Sequence, residues 1–323
     1  MSASRSCDRT CSMTHAAIAK ARTYSDRKLG ELKVLVEGAV PRDAVVVACG
    51  SFARREACAA SDLDYFIIRG EDDDAADPAW AATLHAVLKG AVPVEAARGG
   101  PFAAIEHLPD MVRNMGGQDD TNQRLTRRML FLLEGEPLSE AAGFHAARRI
   151  LLERYIAPRV GDGMLPLFLL NDLIRYYRTI AVDYEFKTGE ADKPWGLRNL
   201  KLVFSRKLLY ASGLFALGAT REGAAADKVA RLQALLGLTP LDRMAAICGA
   251  AAVGPIYDAY DHFLARLAKP GVRRHLERLT RRDRDDPVFR DLKDAGYGFT
   301  RDLAALFETT FDHDHPIRRA ILF

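Results

Sequence analysis

The sequence predicts an α/β domain built on a few short strands, followed by an all-α domain, and two observations predict it. Short apolar runs at residues 45–49, 61–68 and 91–97 alternate with helical patterns through the first 138 residues. From about Ser139 onward few strand-like runs remain, and helical patterns follow one another with Pro166, Pro194, Pro240 and Pro270 as punctuation. A chain of 323 residues that is 49% hydrophobic and 28% charged is long enough for two ordinary domains. The expected division is a disordered N-terminus over 1–14, a first domain over 15–138 and a helical domain over 139–323.

Ala16 to Glu37 carries Ile18, Leu29, Leu32 and Leu35 at spacings that fit one or two amphipathic helices, and Pro41 stops the pattern. Val45 to Cys49 is a run of small apolar residues of the kind that fills a buried strand. It ends at Gly50-Ser51, where a residue without a Cβ lets backbone approach a ligand and a hydroxyl follows. A short helix opening there offers free N–H groups and the positive end of its dipole to a phosphate. Ser61 to Ile68, SDLDYFII, reads as the next strand. Residues two apart on a strand share a face, so Asp62 and Asp64 present their carboxylates together while Leu63 points the other way. Two adjacent carboxylates repel each other. A hard divalent cation between them, Mg²⁺ or Mn²⁺, with phosphate oxygens in its shell, relieves that repulsion.

Glu71-Asp72-Asp73-Asp74 reads as a solvated loop, and Pro78 to Lys89 as a helix with Trp80, Leu84 and Leu88 facing inward. Ala91 to Ala97 suits a third strand, closed by Gly99-Gly100-Pro101. A helix ending at Gly135 carries Arg124, Arg127 and Arg128, which either reach a triphosphate or pair with nearby acids. Further helices are expected near 139–156, 164–187, 196–216, 222–236, 240–248, 254–268, 271–281 and 297–311. In this half Asp172, Arg175 and Arg178 recur at three-residue steps, and Lys201 and Ser205 are four apart, so each set can share a helix face. Two readings stay open for them. One is a basic wall that grips a nucleotide triphosphate, with Tyr176 and Tyr177 available for base stacking; the other is an ion-pair network answered by Asp172 and Asp183. Asp312-His313-Asp314-His315 reads as a loop rather than a metal cluster.

A net charge of +3 is mild, so nothing global calls for nucleic acid or an anionic membrane surface. No apolar run approaches the ~18 residues that cross a bilayer. Five cysteines without paired metal spacing suit a reducing cytoplasm. Histidines without a Ser or Cys nucleophile context do not support a hydrolase triad.

The run Gly50-Ser51-x-x-Arg54-x-Glu56, then four residues, then Ser61-Asp62-x-Asp64 resembles the signature of the DNA polymerase β nucleotidyltransferase superfamily. It is most similar to the PII-protein uridylyltransferases and related uncharacterised bacterial transferase-like proteins, with weaker similarity over Thr126 to Leu138. Ala53 and Arg55 depart from it, standing where the uridylyltransferases usually carry glycines. The resemblance implies a nucleotidyltransferase domain with a small mixed sheet and a Mg²⁺-dependent transfer of a nucleoside monophosphate from an NTP to a hydroxyl. The acceptor, a protein, a small molecule or an RNA end, is not readable, and the partners expected are the NTP and that acceptor, without a membrane or a required nucleic acid. Asp62 and Asp64 would hold metal, and Glu95 on a neighbouring strand would complete the acidic set, with Glu106 and Asp110 as alternatives. Gly50, Ser51, Arg54, Arg175, Arg178, Lys201 and Ser205 form the expected nucleotide-binding set, with Arg54 contacting phosphate or bracing the loop with Glu56. A nucleotide second-messenger synthase and a nucleotide-binding pseudoenzyme acting as a regulatory module are the alternatives.

Overall fold

Two antiparallel strands, β1 (Ala44–Cys49) and β2 (Asp64–Arg69), make the centre of a four-stranded mixed sheet ordered β3-β2-β1-β4. The computed structural model describes residues 15–70, 79–94, 102–189 and 194–322. Strand β3 (Ile105–His107) runs parallel to β2, and β4 (Glu136–Pro137) runs antiparallel to β1. Every residue of β1 is buried, because both faces of the sheet are covered. Val46, Ala48, Tyr65 and Ile67 pack on one face against helix α1 (Ala16–Val36) and helix α3 (Ala79–Ala91) through Leu29, Leu32, Leu84 and Leu88. Val45, Val47, Cys49, Phe66 and Ile68 point the other way, into a cluster with α4 (Leu108–Arg113), α5 (Asn122–Glu134) and α6 (Ala141–Tyr155). Strand alternation gives Asp64 the parity of Phe66 and Ile68, so its carboxylate is directed toward the helical half.

That apolar cluster continues without a break into the helical remainder. Helix α7 (Leu167–Gly189) is followed by α8 (Trp195–Lys201), a π-helical turn (Leu202–Arg206) and α9 (Lys207–Gly218). Helices α10 (Ala225–Leu236), α11 (Pro240–Cys248), α12 (Gly254–Leu267), α13 (Pro270–Arg278), α14 (Pro287–Thr310) and α15 (Pro316–Ala320) complete it. Buried Arg243 ties the two halves together. It donates to the Leu133 carbonyl at the end of α5 and to the Leu235 and Leu238 carbonyls around the end of α10, supplying the cation that a helix C-terminus favours. Helix α1 bridges as well: the Ile18 N–H donates to Asp261 and Arg22 pairs with Asp242 at 2.7 Å. Among the described residues no helix is long and apolar enough to cross a membrane.

The architecture is the small mixed sheet followed by helices that the sequence predicts, with local corrections. The expected third strand at 91–97 is not a strand over its described part: Ala91 ends α3, residues 92–94 are irregular around Pro93, and residues 95–97 lie outside the described residues. The strand beside β2 is Ile105–His107 instead, too short to leave a pattern. The expected strand at 61–68 begins only at Asp64, because residues 58–61 form a turn closed by the Ser61 N–H on the Cys58 carbonyl. Helix α14 starts ten residues before the expected 297. Pro287 occupies its first turn and Asp286 caps it by accepting from the Val288 and Phe289 N–H groups, so this proline opens the helix.

Candidate active site

At the end of β1 the chain turns at Gly50, whose φ of +69° lies in the left-handed region that favours glycine. Cys49 is the register partner of Asp64, which sets this turn against the first residue of β2. A Cβ on Gly50 would lie 3.2 Å from both Cβ and Cγ of Asp64 and would collide with its Oδ2. The place expected for close ligand approach is therefore filled by Asp64. The Gly50 N–H is also committed, donating to Glu134 Oε1 at 2.8 Å. Ser51 follows in the short helix α2 (Gly50–Ala53), and its side chain lines the cleft with no hydrogen-bond partner among the described residues.

A buried chain of charged bonds supports the turn. Glu134, at the end of α5, accepts from Arg54 Nη1 at 2.6 Å through its second oxygen, and Arg54 Nε reaches Glu56 at 3.0 Å. Both oxygens of Glu56 are engaged, because the Tyr260 hydroxyl donates to Oε1 at 2.5 Å. Burial, and then the charge of Glu56, hold the Tyr260 phenol well above its ordinary pKa, so it remains a donor. Of the two roles expected for Arg54, the geometry gives it the bracing one. Arg55 has φ +62° and is held there by Asp26 at 2.7 Å and Glu136 at 3.0 Å. This is the backbone region where glycine is at ease, so the two ion pairs hold an arginine in a conformation its Cβ disfavours.

Beside the turn lies a cleft of about 680 Å³. Ser51, Asp62 and Asp64 line one wall, and Lys201, Ser205 and Arg206 line the other. Tyr24 of α1 and Leu264 and Leu267 of α12 add apolar surface. A π-helical turn closes its bonds from i to i+5, so residues four and five apart stack on one face. Lys201, Ser205 and Arg206 consequently reach the cleft together. Sequence reasoning paired Lys201 with Ser205 and missed Arg206, since a 3.6-residue period turns it away.

The carboxylates of Asp62, in the loop before β2, and of Asp64 make no hydrogen bond or ion pair among the described residues. Burial, followed by the charge of Asp62, pushes the Asp64 carboxyl up to about 7; Arg206 and Lys201 oppose the rise and Glu134 adds to it. Burial pushes the Lys201 ammonium down, and Asp62 is the largest influence against that. Carboxylates and cations thus face each other without closing an ion pair. Two hard-oxygen donors without a partner among the described residues, one of them raising the other's charging cost, fit a divalent cation.

The other expected residues go elsewhere. Arg175 donates to the Asp120 carboxylate and carbonyl, each at 2.9 Å, in a buried network with Arg128, Asp172 and Tyr155. Arg178 is exposed, and neither arginine lines the cleft. The structure does not bring them to Ser51 and Lys201, because Asp120 captures the first and α7 directs the second to solvent. Arg127 pairs with Glu106, Arg124 with Asp110 and Arg128 with Asp120, so each of the three arginines of α5 is engaged by an acid. Tyr176 is fully buried and Tyr177 stacks on Tyr210 at 4.4 Å, which leaves Tyr24 as a ring in the cleft.

Glu95 lies outside the described residues. Glu106 is the register partner of Ile68, four residues along β2 from Asp64, or ~13 Å at a strand rise of ~3.3 Å per residue. Both alternatives, Glu106 and Asp110, are engaged by arginines, and among the described residues no three metal-binding side chains cluster.

No curated protein matches the chain. Residues 4–92 match the family model described as "Putative nucleotidyltransferase DUF294", a span that contains Gly50, Ser51, Asp62 and Asp64. The segment carrying the turn and the carboxylate pair is similar to a nucleotidyltransferase family.

Proposed function

We propose that the protein is a divalent-metal-dependent nucleotidyltransferase, moving a nucleoside monophosphate from an NTP to an acceptor hydroxyl with release of pyrophosphate. The observation that carries this reading is the Asp62–Asp64 pair facing Lys201 and Arg206 across one cleft, none of the four hydrogen-bonded or ion-paired through its side chain among the described residues. Asp62 and Asp64 would hold Mg²⁺ or Mn²⁺, which would supply a lowered pKa for the attacking hydroxyl and neutralise charge on the departing pyrophosphate. Lys201 and Arg206 bind the outer phosphates, with the Ser51 hydroxyl beside them, and Tyr24 with Leu264 and Leu267 covers the base. The acceptor hydroxyl gives up its proton to solvent, and its oxygen forms a bond to the α-phosphorus as the bond to the pyrophosphate oxygen breaks. The products are a phosphate ester and pyrophosphate.

The likeness to PII-protein uridylyltransferases supports a protein acceptor, and free Cys49, Cys58 and Cys248 support a reducing cytoplasm. A nucleotide-binding regulatory module is the second reading, favoured by the engagement of Glu106 and Asp110 in ion pairs: of the four acids that line the cleft, Glu56 and Asp261 are held by Arg54, Tyr260 and the Ile18 N–H, which leaves Asp62 and Asp64 as the pair without a hydrogen bond among the described residues. A screen of the four NTPs with Mg²⁺ or Mn²⁺ and cell extract separates the two. Pyrophosphate release with a labelled product supports transfer; nucleotide binding without either supports the module.

A further inference from the structure

Tyr260, on α12, joins the two walls of the cleft. Its hydroxyl donates to Glu56 Oε1 at 2.5 Å and lies 3.0 Å from Ser205 Oγ. A phenol has a single proton, and the short charge-assisted bond to the carboxylate takes it. The Ser205 hydroxyl then completes the chain by donating to the phenolic oxygen. Glu56 belongs to the loop between Ser51 and Asp62, while Ser205 belongs to the π turn that carries Arg206 and follows Lys201. The ring is fully buried against Phe263, Phe204 and Phe299, so the hydroxyl has little freedom to leave either partner.

We infer that Tyr260 is a positioning residue: by bridging Glu56 to Ser205 it sets the spacing between the Asp62–Asp64 wall and the Lys201–Arg206 wall, so that one metal-bound triphosphate spans both. Its purpose rests on the nucleotidyl-transfer reading, whereas the bridge itself is independent of it. The bridge is also continuous with the buried chain through Arg54 and Glu134 to the Gly50 N–H. A displacement of the π turn is thereby coupled to the turn at the end of β1, and misplacement of reacting groups by ~1 Å costs ~10²-fold in rate.

The test uses the full chain as wild type, Tyr260→Phe, Ser205→Ala and Ser205→Thr. Hydrogen–deuterium exchange is read over residues 50–62 and 201–207, and pyrophosphate release is followed against NTP concentration. Tyr260→Phe and Ser205→Ala are expected to raise exchange about tenfold in both segments and not in the rest of the helical half, with Ser205→Thr restoring protection. Turnover is expected to fall ~10- to 100-fold with KM within about threefold, the split that separates positioning from lost binding. Unchanged exchange in either segment, or a rise spread evenly over the helices, overturns the inference. So does a change in KM alone. A wild type that releases no pyrophosphate refutes the transfer reading, while the exchange pattern still decides the bridge. Should Tyr260→Phe not fold, the contrast between Ser205→Ala and Ser205→Thr decides it.

Discussion

Asp64 stands directly over the Cα of Gly50, so close that a side chain on the glycine would meet its carboxylate. The turn at the end of β1 and the acid at the start of β2 are therefore one packed unit. Gly50→Ala must adopt φ +69° and displace Asp64. We expect a loss of at least ~1–2 kcal/mol from the left-handed backbone alone, read by urea denaturation. A melt indistinguishable from wild type would contradict the packing described.

The pH dependence of stability has a definite sign. Asp64 carries a folded pKa of about 7 against ~3.9 in an unfolded chain. Between those values the folded state binds more protons than the unfolded one, so metal-free stability falls as pH rises through this window. Asp64→Asn should flatten the fall, and Asp62→Asn should reduce it by removing the largest neighbouring charge that raises the pKa. Adding Mg²⁺ at pH 8 should stabilise wild type and not the variants. Urea midpoints at pH 5 and pH 8 measure all three effects.

Arg54 and Lys201 should behave oppositely. Arg54→Ala leaves Glu134 charged, buried and without its cation, and the expected destabilisation is ~3–5 kcal/mol. Lys201→Ala and Arg206→Ala break no ion pair among the described residues, and should leave the midpoint unchanged or higher while weakening NTP binding about tenfold each, a loss of ~1.4 kcal/mol. Calorimetric titration beside denaturation tells a bracing residue from a binding one.

Arg175→Ala should lower stability by ~1–3 kcal/mol, since Asp120 loses charged hydrogen bonds. NTP affinity should not change, and Arg178→Ala should alter neither. A loss of affinity in either variant would restore α7 to the binding site.

The turn and the carboxylate pair were legible because their spacing is local: Gly50, Ser51, Asp62 and Asp64 lie within one strand–turn–strand run. The groups that support them were not. Glu134 reaches Gly50 across 84 residues and Tyr260 reaches Glu56 across 204, contacts that only packing creates. Arg206 enters the cleft through a π turn, and helical periodicity predicts a wider separation from Lys201. Strands of three and two residues, β3 and β4, carry no alternation to read. For Arg175 the sequence offered both a ligand and a counter-charge, and the choice between them depended on Asp120, placed 55 residues away.

The most direct measurement is pyrophosphate release by wild type and Asp64→Asn, each with Mg²⁺ or Mn²⁺, the four NTPs and cell extract as the source of acceptor. The account predicts metal-dependent release by wild type and a loss of at least ~10²-fold in Asp64→Asn, with the variant folded and at least as stable. Equal release by the two proteins, or none from wild type, would contradict it.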